Sequence, residues 1–164
     1  MRDQTGDAPL TLDQELEMTL ILRQAVVADL PAIYRGEQSY IRSWEPDHEA
    51  SWNSQVEKHL TRWVDNFHRL NVAVMGDHFA GYSLRTQEDN CAEICTINVD
   101  PSYRRSGVGT ALLSASALDA KNQGFSRLRL IVRADNPARF MYERFGFVCT
   151  GTGAHDYLTY ECCA

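Results

Sequence analysis

Residues 99–113 read VDPSYRRSGVGTALL, and this stretch joins an apolar strand to a helix through a basic turn. Gly107 and Gly109 lack a Cβ, so successive backbone N–H groups can point at one ligand. The unpaired amides and the positive dipole of a helix that begins here also favour an anion. Arg104 and Arg105 add positive charge beside the turn. The stretch therefore predicts a phosphate-binding loop between a strand and a helix.

Two common nucleotide-binding loops do not fit this turn. A Rossmann fingerprint needs a third glycine at position 112, which is Leu112, and a Walker loop needs Gly-Lys followed by Ser or Thr. The pattern that is present is R-x-x-G-x-G after a strand that ends in V-D-P. It resembles the acyl-CoA pyrophosphate loop of the GCN5-related N-acetyltransferase (GNAT) superfamily.

A second motif supports the resemblance. Residues 135–147 read DNPARFMYERFGF, which is similar to the N-x-A-x-x-x-Y-E-x-x-G-F segment of the same family. The two motifs occur in the family's order, and the resemblance covers about residues 19–161. It implies the GNAT fold, an α/β fold with a single mixed, largely antiparallel sheet of about six to seven strands. About four helices are expected on both faces, and the fourth and fifth strands are expected to splay apart.

Apolar periodicity and turn residues place these elements along the chain. Strands are expected at about residues 19–23, 71–75, 79–84, 92–99, 127–133, 147–150 and 156–161. Helices are expected at about residues 30–40, 56–67, 107–122 and 136–146. The second helix should bury a stripe made of Val56, Leu60, Trp63, Val64 and Phe67, and the third should turn Val108, Leu112, Ala115 and Leu118 inward.

The composition is that of one globular domain. The chain has 164 residues, of which 44% are apolar and 23% are charged. We expect one domain at residues 18–164 behind a flexible tail at residues 1–17. The tail carries five acidic residues and lacks the basic start and apolar run of a secretory signal, which favours a cytoplasmic protein.

Charge and cysteine content narrow the classes of partner. No stretch is long and apolar enough to span a membrane. The formal net charge of −6 argues against binding nucleic acid and suits a cationic amine. Five cysteines, an odd number without zinc spacing, are typical of reduced thiols. We therefore expect no membrane, no nucleic acid and no metal.

The resemblance implies that acetyl-CoA is the co-substrate and that its acetyl group moves to a primary amine by direct attack in a ternary complex. An alkyl amine is protonated at neutral pH, since its reference pKa is about 10, so a base must take its proton. Glu93 is the candidate, fourteen residues before Gly107, the spacing of the catalytic glutamate in histone-acetylating members. A solvent-facing or structurally paired Glu93 stays an open alternative, with water or a residue of the first helices as the base.

The resemblance also assigns the other site residues. The Ile97 N–H is expected to stabilise the oxyanion, and Val99 to bond the pantetheine arm like an added strand. Tyr142 is expected to contact the cofactor and to protonate the leaving thiolate. Asn136 resembles a residue that contacts the cofactor arm, and it is equally suited to cap a helix. The diphosphate loop would comprise Arg104, Arg105, Ser106, Gly107, Val108, Gly109 and Thr110.

The acceptor stays open between a small-molecule amine and a peptide amine. Trp44 and Trp52 are candidate pocket walls, and His155 and Tyr157 are candidates to reach the pocket. Ribosomal-protein acetylating members tend to carry a glutamate where this chain has Ile131, which disfavours that substrate. Two other functions stay open, a catalytically idle acyl-CoA-binding regulatory module and an N-acyltransferase that uses a longer acyl-CoA. Homodimers are common in the family, so a homodimer is a further expectation.

Overall fold

A computed structural model describes residues 19–164, so the tail expected at residues 1–17 lies outside the described residues. The strands are β1 (Leu20–Gln24), β2 (Leu70–Met75), β3 (His78–Glu88), β4 (Cys91–Val99), β5 (Arg127–Arg133), β6 (Val148–Thr152) and β7 (Tyr157–Cys163). The α-helices are α1 (Leu30–Trp44), α2 (Glu49–Asn53), α3 (Val56–Asp65), α4 (Val108–Asn122) and α5 (Ala138–Phe145).

The seven strands form one sheet in the order β1-β2-β3-β4-β5-β7-β6. The β4–β5 pair is parallel, and the other neighbouring pairs are antiparallel. The mixed, largely antiparallel sheet predicted from the sequence is therefore confirmed. None of the helices within residues 19–164 is long and apolar enough to cross a bilayer.

Helices cover both faces of the sheet, as predicted. On one face α4 and α5 pack against β4, β5 and β7, in a core that includes Leu113, Tyr142 and Leu130. On the other face α1 and α3 pack against β2 and β3, through Ile33, Trp63 and other apolar side chains. The sheet is thus the middle layer of a three-layer structure.

Three predicted details of the helices are wrong. Helix α1 continues to Trp44 rather than ending near residue 40, and the short helix α2 occupies part of the expected connection. The stripe on α3 is only partly buried, since Leu60 is 37% and Val64 56% exposed. Leu118 points to solvent, and Leu113, Ser116 and Ala120 face the core instead. Apolar spacing alone therefore predicts the wrong inward face for α4.

A bulge in β4 changes which of its residues face α4. Leu84 pairs with Thr96 and Arg85 with Ile94, which leaves Cys95 as the extra residue. Residues three apart in a regular strand point to opposite faces. Because of the bulge, Ile94 and Ile97 both pack on the α4 side of the sheet.

The sheet opens between β4 and β5 above this bulge. The two strands pair only where Ala92–Ile94 lie beside Leu128–Leu130. Beyond these residues β4 stays paired with β3 as far as Val99, and β5 stays paired with β7 as far as Arg133. The predicted splay is therefore confirmed, and one edge of β4 faces an opening.

Candidate active site

The backbone of Ile97 and Val99 faces the opening between β4 and β5. Asp100 donates its backbone N–H to the Ala80 carbonyl of β3 at 2.8 Å. Every second residue of β4 counted back from Asp100 therefore directs its N–H and C=O groups toward β3. Antiparallel pairing alternates, so the N–H and C=O groups of Ile97 and Val99 point away from β3. The Val99 carbonyl accepts a hydrogen bond from Arg104, so the Ile97 N–H and C=O and the Val99 N–H are the groups available to a ligand that lies along β4.

The loop after β4 turns tightly before α4 begins. The Asp100 carboxylate accepts the Ser102 N–H at 2.9 Å, and the Ser106 hydroxyl donates to the Tyr103 carbonyl. Arg105 and Gly107 adopt positive φ values of 61° and 83°. The turn therefore leads directly into α4, and the first N–H groups of α4 point outward from the helix end.

Gly107 and Gly109 serve different purposes. Gly107 is the N-cap residue of α4 and has open space around its missing Cβ, so its positive φ is what favours glycine. It contributes no side-chain acceptor, and the N–H groups of the first turn stay available to an anion. At Gly109 a Cβ would lie 3.0 Å from the Met141 sulfur and 3.6 Å from Val99 Cγ2. Gly109 thus lets α4 approach α5 and β4 closely.

Of the two basic residues in the loop, Arg104 is held against the end of β4. Its Nε donates to the Val99 carbonyl at 3.2 Å, and its side chain lines a cleft beneath α1. Arg105 is exposed in the turn before Gly107. Together they place two positive charges beside the start of α4, where a diphosphate would add negative charge.

Tyr142 is buried on α5, with only 7% of its surface exposed. It belongs to the same core cluster as Ile94 and Leu130, the last residues at which β4 and β5 pair. Burial, with a smaller contribution from Tyr40, raises the pKa of the Tyr142 phenol well above its usual range. The phenol is therefore neutral and protonated at physiological pH.

Asn136 lies one residue before Pro137, the N-cap of α5, and also faces α1. Its Oδ1 accepts the Ala138 N–H at 2.9 Å, so the capping role left open in the sequence is present. The same side chain interacts with the Tyr40 hydroxyl across the opening. Burial, followed by the nearby Glu45 charge, raises the pKa of Tyr40.

Glu93 lies at the closed end of the opening, in the paired segment of β4. Arg129 donates to its Oε2 at 2.8 Å and to the Glu88 carboxylate at 2.7 Å. The hydrogen bond to Glu93 is the main cause of the raised pKa of Arg129. Glu93 is therefore structurally paired, which is one of the alternatives that the sequence left open.

A cleft of about 570 Å³ lies between α1 and the ends of β3 and β4. Trp44, predicted as a pocket wall, lines it, whereas Trp52 stacks on His59 with ring centroids 4.5 Å apart. His155 is exposed, and the Tyr157 hydroxyl donates to Glu45 at the end of α1. Sequence reasoning missed much of the remaining lining, which includes Gly36, Ser39, Tyr40, Tyr82 and Asn98.

A signal for the missed residues is present in the sequence. Ile33, Gly36, Tyr40 and Trp44 recur at helical spacing, so they share the face of α1 that meets the sheet. The bulge at Cys95 is what turns Asn98 toward that face, and strand alternation alone does not predict it.

Potential metal ligands do not gather in the part of the chain that the structure describes. No group of three or more His, Cys, Asp or Glu side chains within residues 19–164 could hold a metal ion. The five cysteines are free thiols.

The backbone groups of the site are complementary to acetyl-CoA. The start of α4 offers uncapped amides to a diphosphate, and the free edge of β4 offers N–H and C=O groups to an amide-containing arm. Gly107 keeps the approach to the helix end clear of a side chain.

Comparisons with known proteins agree with this geometry. The acetyltransferase (GNAT) family model matches residues 34–147. The mycothiol acetyltransferase of Actinosynnema mirum is 30% identical over 108 residues, which are 64% of this chain and 36% of that protein. The [ribosomal protein bS18]-alanine N-acetyltransferase of Escherichia coli K12 is 34% identical over 121 residues, 73% of this chain and 74% of that protein.

A solved structure shares the fold. The PaiA N-acetyltransferase from Thermoplasma acidophilum, in complex with coenzyme A, superposes with a TM-score of 0.75 at 18% identity. The match covers 90% of this chain and 100% of that one. Both the sequence match and the splayed sheet thus lead to one conclusion. The chain belongs to the acetyltransferase (GNAT) family, whose acyl donor is acetyl-CoA.

Proposed function

We propose that this protein transfers the acetyl group of acetyl-CoA to a primary amine, by direct attack of the amine within a ternary complex. The parting of β4 from β5 is the observation that carries the proposal. It leaves the Ile97 N–H and C=O and the Val99 N–H without a strand partner along the opening, with the amino end of α4 next in the chain. A thioester with a diphosphate-bearing arm suits such an arrangement.

The loop and the strand edge would bind the donor. In this proposal the diphosphate lies at the start of α4, and Val99 bonds the pantetheine arm as an added strand would. The residues that surround the diphosphate are Arg104, Arg105, Ser106, Gly107, Val108, Gly109 and Thr110. Val108 contributes through its backbone, because its side chain is buried.

Two groups would act on the reacting thioester. The Ile97 N–H donates to the carbonyl oxygen as negative charge develops there, a contribution of about 3 kcal/mol. Tyr142 donates its O–H toward the departing sulfur and gives it a proton as the C–S bond breaks, and its raised pKa means that the proton is present on the phenol when this step begins. Asn136 contacts the cofactor arm while it caps α5.

The amine needs a base, and a carboxylate on β4 or facing it would serve. Glu93 is the residue that the sequence predicts. Because Arg129 holds its carboxylate, Glu93 would have to act through a water or after the ion pair loosens. A second carboxylate, Glu37 on α1, accepts a hydrogen bond from Tyr82 of β3 and faces Thr96 of β4.

The acceptor is proposed to be a small-molecule or peptide amine. One relative acts on the alanine of a ribosomal protein, and another carries mycothiol in its name. A panel should therefore include a peptide with amino-terminal alanine, spermidine, lysine and an amino sugar.

Release of free CoA thiol from acetyl-CoA tests the proposal. We expect release with at least one amine of the panel, and slower release from a longer acyl-CoA with the same amine. Binding of acetyl-CoA without thiol release for any amine would instead identify an acyl-CoA-binding regulatory module. Faster release from the longer donor would identify an N-acyltransferase of another chain length.

A further inference from the structure

A carboxylate lies on the face of α1 that meets the sheet. Ile33, Gly36, Glu37 and Tyr40 follow the i, i+3, i+4, i+7 spacing of one helix face. Ile33 is fully buried, and a Cβ at Gly36 would lie 2.7 Å from the Tyr82 ring. Glu37 therefore points its ionisable group into a tightly packed interface, where a charged side chain costs stability.

Glu37 belongs to a chain of hydrogen bonds that crosses this interface. The Tyr82 hydroxyl donates to Glu37 Oε1 at 2.9 Å. Asn98 Nδ2 lies 3.4 Å from that hydroxyl and donates to the Gly36 carbonyl at 2.8 Å. The Thr96 hydroxyl faces the same carboxylate. Tyr82 and Asn98 thus connect the carboxylate to the sheet.

The chain of hydrogen bonds ends at the candidate active site. Tyr82, Asn98 and Tyr40 line the cleft of about 570 Å³ beneath α1. Asn98 lies between Ile97 and Val99, whose backbone faces the opening on the other edge of β4. Tyr82 is only 1% exposed, so its hydroxyl lies at the inner wall of the cleft, where a bound amine would meet it close to the proposed thioester site.

The surroundings of Glu37 favour a carboxylate that can take up a proton. Burial raises its pKa, and this outweighs the opposing hydrogen bonds from Tyr82 and Thr96. His59 and Arg62 of α3 also act to lower that pKa, less strongly. The nearby Tyr40 is uncharged at neutral pH, since its own pKa is raised. A base is most effective when its pKa approaches the working pH.

We infer that Glu37, acting through Tyr82, accepts the proton that the acceptor ammonium must lose, an inference that rests on the proposed function. The ammonium N–H bond breaks, and its proton moves to the Tyr82 oxygen. The O–H proton of Tyr82 moves at the same time to the Glu37 carboxylate, which becomes a carboxylic acid. The amine keeps the electron pair with which it attacks. Tyr82 passes the proton on without ionising.

The pH profile of kcat/KM separates this role from a structural one. For Glu37→Gln with the best acceptor of the amine panel, we expect kcat/KM to fall about 100-fold at pH 7. The loss should shrink as the pH approaches the pKa of the amine, because the amine then deprotonates by itself. An aromatic amine, neutral at pH 7, should lose far less with the same variant if it is a substrate of the wild type.

Three further variants complete the experiment. Tyr82→Phe should give the same pH-dependent loss, and it keeps the ring packed against Gly36 if Glu37→Gln fails to fold. Glu57→Gln, on the exposed surface of α3, should behave as the wild type. Glu93→Gln tests the carboxylate that the sequence predicted, and we expect its effect to be independent of pH.

The outcomes separate this inference from the proposed function. A wild-type protein that releases no thiol with any amine overturns both. If the wild type is active and kcat/KM falls toward low pH in the same way in Glu37→Gln and Tyr82→Phe as in the wild type, the role of Glu37 alone is overturned. If the fall of kcat/KM toward low pH disappears only in Glu93→Gln, the role of Glu37 is likewise overturned, and Glu93, the base predicted from the sequence, is supported.

Discussion

At the residue scale, Tyr142 is a phenol that burial keeps protonated. The phenol belongs to the core cluster in which β4 and β5 have their last paired residues, and it contacts Phe147 edge-on with ring centroids 6.0 Å apart. Its raised pKa follows from that burial. The raised pKa keeps the proton on the phenol at working pH, so the group is protonated and able to donate a hydrogen bond.

Replacing Tyr142 by Phe tests this role. We expect Tyr142→Phe to lower kcat about 100-fold, since a positioned proton donor contributes at least that much. The ring still fills its place in the core, so the Kd for acetyl-CoA, measured by calorimetry, should stay near the wild-type value. An unchanged kcat would remove the acid role of Tyr142, and a weakened Kd would indicate that the hydroxyl binds the donor.

At the scale of elements, a glycine with positive φ flanks α4 at each end, but only the start of the helix presents free N–H groups. Gly107 precedes the helix and Gly124 follows it, with φ values of 83° and 88° and open space around both. A side chain at either position meets the same backbone strain, about 1 kcal/mol. The two ends of this 15-residue helix are about 22 Å apart. Only the Gly107 end faces the proposed diphosphate site.

This pair of glycines provides a matched comparison. Gly107→Ala and Gly124→Ala should each lower the free energy of unfolding by about 1 kcal/mol, measured by urea denaturation. Only Gly107→Ala should also raise the Kd for acetyl-CoA, because it disturbs the amides at the start of α4. Equal affinity in the two variants would argue against a diphosphate at this helix end.

The elements also show where sequence reasoning works and where it fails. The predicted strand at 92–99 and its neighbours agree with β2 to β5 to within a few residues at most ends, because strand alternation and turn glycines are local signals. The phase of α4 was wrong at Leu118, which is 58% exposed. Helix phase depends on which neighbours cover the helix, and spacing alone does not contain that information.

At the scale of the whole molecule, α1 connects the two halves of the splayed sheet. Near its carboxyl end, Tyr40 interacts with Asn136, and Glu45 accepts a hydrogen bond from Tyr157 of β7. At its amino end, Asp29 accepts two hydrogen bonds from Arg23 of β1, at 2.7 and 2.9 Å. The helix thus spans the opening and is held at both ends.

The anchor at Asp29 predicts how stability depends on pH. Hydrogen bonds from Arg23 are the main cause of the lowered pKa of the buried Asp29 carboxyl. A lowered pKa means that the stabilisation is complete above about pH 4, the unfolded value, and is lost as the pH falls through the folded value. Asp29→Asn should therefore be less stable than the wild type at pH 7, and this difference should shrink toward pH 2.

Denaturation midpoints between pH 2 and pH 7 check the prediction. Asp135→Asn is the control, because the Asp135 carboxylate is exposed and its pair with Arg133 is screened by solvent. We expect that variant to follow the wild type closely at every pH. If the difference in denaturation midpoint between Asp29→Asn and the wild type is the same at every pH, packing of the side chain, and not its charge, holds the start of α1.

The sequence by itself determined the family, the strand-loop-helix unit around Gly107 and the position of Tyr142 within a motif, because these depend on local patterns of glycine, proline and apolar residues. Tertiary structure decided which groups meet. The ion pair of Glu93 with Arg129 and the contact of Glu37 with Tyr82 join residues 36 and 45 positions apart in the chain. Such pairings depend on sheet register, on the bulge in β4 and on burial, which no local pattern encodes.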